Sequence, residues 1–161
     1  MENLAITVEC IRDLVTFHAE RISGYKAMLD GLTPEEQHLA TLFNAFIKQS
    51  GNMKEELLQI STLRGLDVEQ LQHHGKYGLA WSMVKAVFSS RMPSYSLDKC
   101  RSGENALLIA YHSVEGTEGL QPAVRSLINR QKREVIAARD WIDHFGRLQD
   151  YPEQGQLVAF S

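Results

Sequence analysis

The chain has 161 residues, of which 43% are hydrophobic and 23% charged, so it is long enough to bury a core of its own and typical of one globular domain. Its 17 basic and 20 acidic residues give a formal net charge of -3, a mixed balance that provides neither a basic face for nucleic acid nor an acidic tail. The N-terminus lacks a basic region followed by an apolar run, and no stretch approaches the roughly 18 apolar residues of a membrane span. We therefore expect a cytoplasmic protein without a nucleic-acid or membrane partner, whose two cysteines stay reduced.

The first predicted element is a helix over about residues 3–30. Its apolar residues recur with an alternating spacing of three and four, which is typical of a helix with one apolar seam: Leu4, Val8, Ile11, Val15, Ile22, Tyr25, Leu29 and Leu32. Gly31 ends this helix. Thr33, Pro34 and Glu36 then form the start signal of the next one, with a capping residue, a proline at the first helical position and a capping box.

The second predicted helix covers 34–64 and ends at Gly65, and the short loop before it makes it return antiparallel to the first. Its apolar face is formed by Leu39, Leu42, Phe46, Met53, Leu57, Ile60 and Leu63. The long periodicity then lapses over 66–93, where we expect a crossover with one short helix around Trp81. A connection this long allows the next helix to run parallel to the second.

The third and fourth predicted helices cover 95–115 and 119–149. Glycines at Gly116 and Gly119 separate them, and residues 151–161 form a C-terminal tail beyond a single domain of residues 1–150. The sequence thus predicts an all-α, ferritin-like antiparallel four-helix bundle with a long crossover between helices two and three.

A weak internal repeat indicates two similar helical hairpins. His18 stands seven residues before Tyr25 in helix one, and Glu104 stands seven residues before Tyr111 in helix three. A basic residue followed by glutamine occurs near the middle of both helices two and four, as Lys48-Gln49 and Arg130-Gln131.

Polar residues interrupt the apolar seam near the middle of all four helices. On helical wheels His18 and Glu104 face inward, while the amides interrupt the stripes of helices two and four. Mid-helix residues of an antiparallel bundle share one layer, so we expect His18, Gln49, Glu104, Gln131 and Glu134 to converge. The tyrosines Tyr25 and Tyr111 are predicted as core residues whose hydroxyls are anchored in the same layer.

Two interpretations satisfy the buried carboxylate of Glu104, which costs several kcal/mol to desolvate without a partner. In one, His18, Glu104 and Glu134 bind a metal ion, as in bundles whose Glu-x-x-His motifs hold two iron ions. In the other, a hydrogen-bonded and ion-paired layer fixes the register of the helices, and Glu104 is satisfied by His18, a glutamine, a tyrosine hydroxyl or a nearby arginine such as Arg21 or Arg130. Helices two and four offer Gln-x-x-Asn and Gln-x-x-Glu where Glu-x-x-His is needed, so the residues favour the layer without metal.

Other signals are weaker. His73 and His74 in the crossover are adjacent and diverge on a regular backbone, which favours solvated side chains over a metal site. The apolar stripe from Trp81 to Phe88 either packs on the bundle or contacts another copy. No phosphate-binding loop, serine elbow or Cys-x-x-Cys pair is present, so no catalytic residue and no cofactor other than the alternative single metal ion is predicted.

Several motifs in order resemble a known family. They are Gly24-Tyr25 in helix one, Leu42-Phe43 to Glu56-Leu57 in helix two, His74-Gly75 and Trp81 in the crossover, Cys100-x-x-Gly103-Glu104-x-Ala106 in helix three, and Arg130-Gln131-x-x-Glu134-Val135 in helix four. Over about residues 8–150 the chain is similar to a bacterial family of ferritin-like four-helix-bundle proteins known as domain of unknown function 2383. The resemblance implies a ferritin-like bundle without an established activity. At positions 49 and 139 the family pattern has a glutamate and a histidine, whereas this chain has Gln49 and Arg139, which removes two groups that could bind a metal or carry a proton.

The function predicted from the sequence is that of a non-catalytic, self-associating bundle, a dimer or a higher oligomer, with a stress-related or scaffolding role. The alternative is a metal-binding or oxidase-type ferritin-like protein that uses iron, manganese or zinc through His18, Glu104 and Glu134.

Overall fold

The computed structural model describes residues 4–65 and 97–150, with the side chains of Leu63 and residues 147–150 excepted. The predicted crossover over 66–93, with its short helix, and the tail over 151–161 lie outside the described residues. Every regular element in the described part is helical: α1 (Leu4–Asp30), α2 (His38–Leu63), α3 (Leu97–Glu115) and α4 (Pro122–Asp150), with a short 3₁₀ helix at Pro34–Glu36. The chain is therefore an all-α helical bundle over these residues.

The turn between α1 and α2 differs from the predicted helix start. The carboxylate of Glu36 accepts a hydrogen bond from the backbone N–H of Thr33 at 2.9 Å, and the N–H of Glu36 donates to the carbonyl of Thr33 at 3.0 Å. These bonds close a 3₁₀ turn at Pro34–Glu36 rather than the first turn of an α-helix, and α2 begins at His38. The capping signal thus stabilises the turn, and the helix follows it.

The second turn joins α3 to α4 and sets the start of α4. Gly119 has a φ of 87°, in the left-handed region that disfavours residues with a Cβ and cannot continue a right-handed helix. The helix predicted from residue 119 therefore starts at Pro122, where the missing N–H of proline costs nothing.

The four helices form two close pairs, α1 with α2 and α3 with α4, and the pairs meet through α1 with α3 and α2 with α4. Within the first pair, the ring of Tyr25 lies 5.3 Å from that of Phe43, while Arg21 contacts Gln49. Residue numbers therefore fall along α2 as they rise along α1.

The contacts between the two pairs follow the same reversed order. The thiol of Cys100 lies 3.5 Å from the sulfur of Met28, and Tyr111 contacts His18. Between α2 and α4 the contacts join Gln49 to Glu134 and Glu56 to Arg130. Within the second pair, Arg101 reaches Asp143 and Tyr111 reaches Gln131.

One contiguous apolar core fills the space between the helices, with Leu14, Phe43, Leu57, Leu107 and Ile128 among its fully buried members. Leu4, predicted in the seam of helix one, is 51% exposed because α1 begins at this residue. No helix in the described ranges combines the length and the apolar character that crossing a membrane requires.

A buried ion-paired layer as the candidate functional site

The centre of the bundle holds an ion pair between α1 and α3. Arg21 and Glu104 both have fully buried side chains, with 0% exposure. The Nε of Arg21 donates to Oε2 of Glu104 at 2.9 Å, and its Nη2 donates to Oε1 of the same carboxylate. This bidentate geometry is the strongest form of the arginine–carboxylate contact.

The other side of the guanidinium is bound by α2. Its Nη1 donates to Oε1 of Gln49 at 2.8 Å and to Oγ of Ser50 at 2.9 Å, and its central carbon lies 5.1 Å from the centre of the Phe46 ring. The guanidinium of Arg21 thus makes four hydrogen bonds, and the ring of Phe46 adds a cation–π contact.

The carboxylate of Glu104 has a third donor, because the hydroxyl of Tyr25 donates to its Oε2 at 3.0 Å. Burial, together with the neighbouring charge of Glu104, raises the pKa of Tyr25 well above its ordinary value, so this hydroxyl keeps its proton. Burial lowers the pKa of Arg21, but the Glu104 carboxylate more than offsets that effect and leaves the pKa above its ordinary value. The ion pair therefore consists of one positive and one negative charge that balance each other.

A chain of hydrogen bonds leads from the ion pair to Gln131 of α4. The bonds of Gln131 determine which group donates and which accepts at each step of this chain. The amide nitrogen of Gln131 donates to the carbonyl of Met53 at 3.1 Å and to the carboxylate of Glu56 at 3.2 Å, so its oxygen must be an acceptor. That oxygen accepts the proton of the Tyr111 hydroxyl at 2.6 Å. The hydroxyl of Tyr111 therefore has no proton left for a second donation.

The protonation of His18 follows from this order. Its Nε2 lies 2.7 Å from the Tyr111 hydroxyl and must be the donor, while its Nδ1 lies 2.8 Å from Oγ of Ser50 and accepts that hydroxyl proton. Burial, and secondarily the charge of Arg21, lowers the pKa of His18 to about 3, so the imidazole is neutral. Each group from Arg21 to Gln131 donates to the next one, and the layer has one consistent arrangement of protons.

The layer reaches the surface between α2 and α4. Glu56 forms an ion pair with Arg130, whose Nη1 also lies 3.4 Å from the carboxylate of Glu134, and all three side chains are partly exposed. The Nε2 of Gln49 donates to the backbone carbonyl of Glu134 at 3.2 Å. The side chain of Glu134 is 43% exposed and lies outside the buried layer.

The structure brings six of the predicted layer residues into one hydrogen-bonded network: His18, Tyr25, Gln49, Glu104, Tyr111 and Gln131. Glu134 contacts the buried layer through its backbone carbonyl, while its partly exposed side chain lies against Arg130. The sequence named Arg21 as one of two cations for Glu104. Its position three residues after His18 and four before Tyr25, on one face of α1, is the signal that could have singled it out.

A second buried acid was missed by the sequence analysis. Asp13 is buried in α1, three residues after Cys10 and four before Phe17, a spacing that places it on the apolar face. Burial, reinforced by the charge of Glu9 and opposed by Arg12, raises the pKa of Asp13 to about 7.

The arrangement fits an internal ion pair rather than a metal ion. Both nitrogens of His18 and both oxygens of Glu104 are committed to side-chain partners, and a divalent cation would have to enter beside the charge of Arg21. Within residues 4–65 and 97–150, no group of three or more His, Cys, Asp or Glu side chains could hold a metal.

Comparison with known proteins gives no further assignment, since no family model, no curated protein and no solved structure matches the chain.

Proposed function

We propose that this chain is a non-catalytic, self-associating bundle protein of the bacterial cytoplasm, with a scaffolding role. The observation that carries the proposal is the Arg21–Glu104 ion pair, which fills the centre of the bundle with a cation that belongs to the chain itself. A neutral imidazole, His18, and two protonated tyrosines, Tyr25 and Tyr111, lie in the same layer, and their hydrogen-bonding groups are bound to neighbouring side chains.

The role of the layer in this proposal is to fix the register of the helices. Any sliding of α1 along α3 would separate Arg21 from Glu104 and leave two charges in a low-dielectric core, at a cost of several kcal/mol. Replacing a buried ion pair by apolar residues is often neutral or stabilising, so we assign the Arg21–Glu104 pair to the register of the helices rather than to net stability.

The proposal includes a ferritin-like topology. The reversed contact order within each helix pair, and between α1 and α3 and α2 and α4, supports an antiparallel arrangement in which α3 runs parallel to α2. The connection over 66–96 then has to join opposite ends of the bundle, as a crossover does. The resemblance to domain of unknown function 2383 remains part of the proposal.

The test compares three variants by urea unfolding followed by circular dichroism. Arg21→Met and Glu104→Gln should each lower the free energy of unfolding by about 3–5 kcal/mol, because each leaves one buried group without its partner. The double variant Arg21→Met with Glu104→Leu should lose less than the larger single loss. As a matched control, Arg130→Met removes the partly exposed pair with Glu56 and should cost about 0–1 kcal/mol.

Elemental analysis of protein purified without chelator provides the opposing outcome. Stoichiometric iron, manganese or zinc that Glu104→Ala abolishes would overturn the ion-pair proposal in favour of a metal-binding protein. A Glu104→Gln variant as stable as the wild type would also contradict it, because an amide cannot replace the charge that Arg21 requires.

A further inference from the structure

Two exposed apolar features lie on opposite flanks of α4. The first is the isoleucine groove between α3 and α4, with a volume of about 460 Å³. Its apolar wall is formed by Leu108, Ile109 and Ile136, and Ile109 is 53% exposed. In the described part of the chain, Ile109 belongs with Leu4 and Trp141 to the exposed large hydrophobic residues.

The rim of the isoleucine groove is basic. Its two charged residues are Lys132 and Arg139, which lie beside the polar residues Asn105, His112 and Ser113. The Nζ of Lys132 forms an ion pair with the carboxylate of Glu115 at 3.1 Å. Arg139 donates to the amide oxygen of Asn105 at 3.2 Å and forms no ion pair in the described part of the chain. The groove thus combines an apolar wall with the positive charge of Arg139, which has no ion-pair partner among residues 4–65 and 97–150.

The second feature is the tryptophan edge, formed by Ala137, Asp140, Trp141 and His144. Trp141 is 56% exposed, and its ring meets that of His144 edge-on, with 5.7 Å between the centroids. Asp140 is exposed and forms no ion pair within the described ranges. The tryptophan edge therefore pairs a large aromatic side chain with a negative charge.

The two features face different sides of the molecule. Lys132 and Arg139 lie on the flank of α4 that contacts α3, as their bonds to Glu115 and Asn105 show. Trp141 lies eleven residues, or about three turns, after Arg130, on the flank whose residues contact α2. One molecule cannot bring its own tryptophan edge into its own groove.

We propose that the tryptophan edge of one copy of this chain docks into the isoleucine groove of a second copy. Trp141 packs on Ile109 and Ile136, and Asp140 approaches Arg139. The complementary charges and the match of an aromatic anchor to an apolar groove identify a second copy as the occupant. This inference rests on the self-association in the proposed function and names its surfaces.

The contact is heterologous, because two different surfaces meet and face different directions. An assembly of any size has one open groove at one end and one open edge at the other. Further copies can therefore add until a ring closes or a filament forms. The expected assembly of the wild type is therefore larger than a dimer.

The experiment uses two complementary variants and light scattering coupled to size-exclusion chromatography. Ile109→Glu disables the groove and Trp141→Glu disables the edge, and both positions are exposed, so circular dichroism should show intact folds. Each variant alone should be monomeric. An equimolar mixture should give 1:1 dimers and nothing larger, because one intact groove and one intact edge remain to meet.

Leu4→Glu is the matched control, since it changes a residue of α1 with 51% exposure and should leave the wild-type assembly unchanged. A monomeric wild type overturns both the inference and the self-association in the proposed function. A wild type that stops at a dimer, or a mixture that stays monomeric, overturns the inference alone. These outcomes are independent of the unfolding and metal measurements, so a failure of the interface leaves the ion-pair proposal standing, and the reverse also holds.

Discussion

His18 and Asp13 lie in the same helix and shift the stability of the fold in opposite directions as the pH changes. The pKa of His18 falls from 6.5 to about 3 on folding, so the unfolded chain binds one more proton than the folded chain within that range. The pKa of Asp13 rises from 3.8 to about 7 on folding, so between these pH values the folded chain binds one more proton than the unfolded chain. The contribution of His18 is complete above pH 6.5 and lost on acidification, whereas that of Asp13 is complete below pH 3.8 and lost as the pH rises toward 7.

Between about pH 4 and 6.5 these two effects should nearly cancel, and single substitutions should reveal them. Asp13→Asn should make the free energy of unfolding fall more steeply on acidification than in the wild type, by up to about 1.4 kcal/mol per pH unit, because the His18 term is no longer opposed. Urea unfolding at several pH values measures this slope.

His18→Gln is the counterpart variant, because its amide supplies one donor and one acceptor but does not titrate. Relative to the wild type, its stability should rise on acidification by a similar slope over the same range. Equal slopes in all three proteins would show that neither residue has the protonation assigned to it.

At this scale the sequence predicted that the polar residues face inward, because the wheel position of a mid-helix residue follows from the helical period. It left open whether His18, an amide, a tyrosine hydroxyl or an arginine satisfies Glu104, and which of Arg21 and Arg130 that arginine would be. The choice depends on the depth of the side chain: Arg21 is fully buried and Arg130 is not. The burial of Asp13 was missed because one acid on an apolar stripe resembles a helix flank.

The residues of the internal repeat make reciprocal contacts between the two helix pairs. Tyr25 of α1 donates to Glu104 of α3, while Tyr111 of α3 binds His18 of α1, so each tyrosine reaches the polar residue of the other hairpin. The two glutamines show the same reciprocity, because each donates to a backbone carbonyl of the helix that carries the other, Gln49 to Glu134 and Gln131 to Met53. The described contacts therefore agree with two similar hairpins related by an approximate two-fold axis.

The sequence predicted the form of the turns least well, because it does not show where the backbone takes a left-handed conformation. Substitutions of two glycines, one in a turn and one inside a helix, test this explanation. Gly119→Ala should lower the free energy of unfolding by about 1 kcal/mol, because a φ of 87° strains a residue with a Cβ. Gly51→Ala should raise it by about 0.5–1 kcal/mol, because Gly51 lies inside α2 and an added Cβ meets nothing within 4 Å. Thermal melting of both variants checks the opposite signs, and a stabilised Gly119→Ala would contradict the turn geometry.

For the molecule as a whole, the all-helical architecture could be predicted because seam periodicity and two turn signals occur together. The direction of α3 relative to α2 could only be hypothesised, since it depends on contacts between residues far apart in the sequence. The length of the intervening segment was the single indication. The contacts of the polar residues, such as His18 with Tyr111 and Gln49 with Glu134, agree with the proposed topology.

A distance measurement tests that topology directly. Spin labels on cysteines introduced at Arg64 and Asp98, both exposed, should lie more than about 30 Å apart, given the rise of 1.5 Å per residue along the helices between them. The native Cys10 and Cys100 are fully buried and should resist labelling. A distance under about 20 Å would instead indicate a simple up-and-down bundle, in which the end of α2 adjoins the start of α3.

The position of the central ion pair also determines how the molecule can open. Because Arg21 belongs to the first hairpin and Glu104 to the second, the hairpins separate only if this ion pair breaks and the apolar core that they share is exposed. Opening at this interface therefore exposes core residues of both hairpins together. The amides at the middle of α1 and α3 should therefore exchange their hydrogens with solvent through one shared event, and the two hairpins behave as a single cooperative unit despite their repeated design.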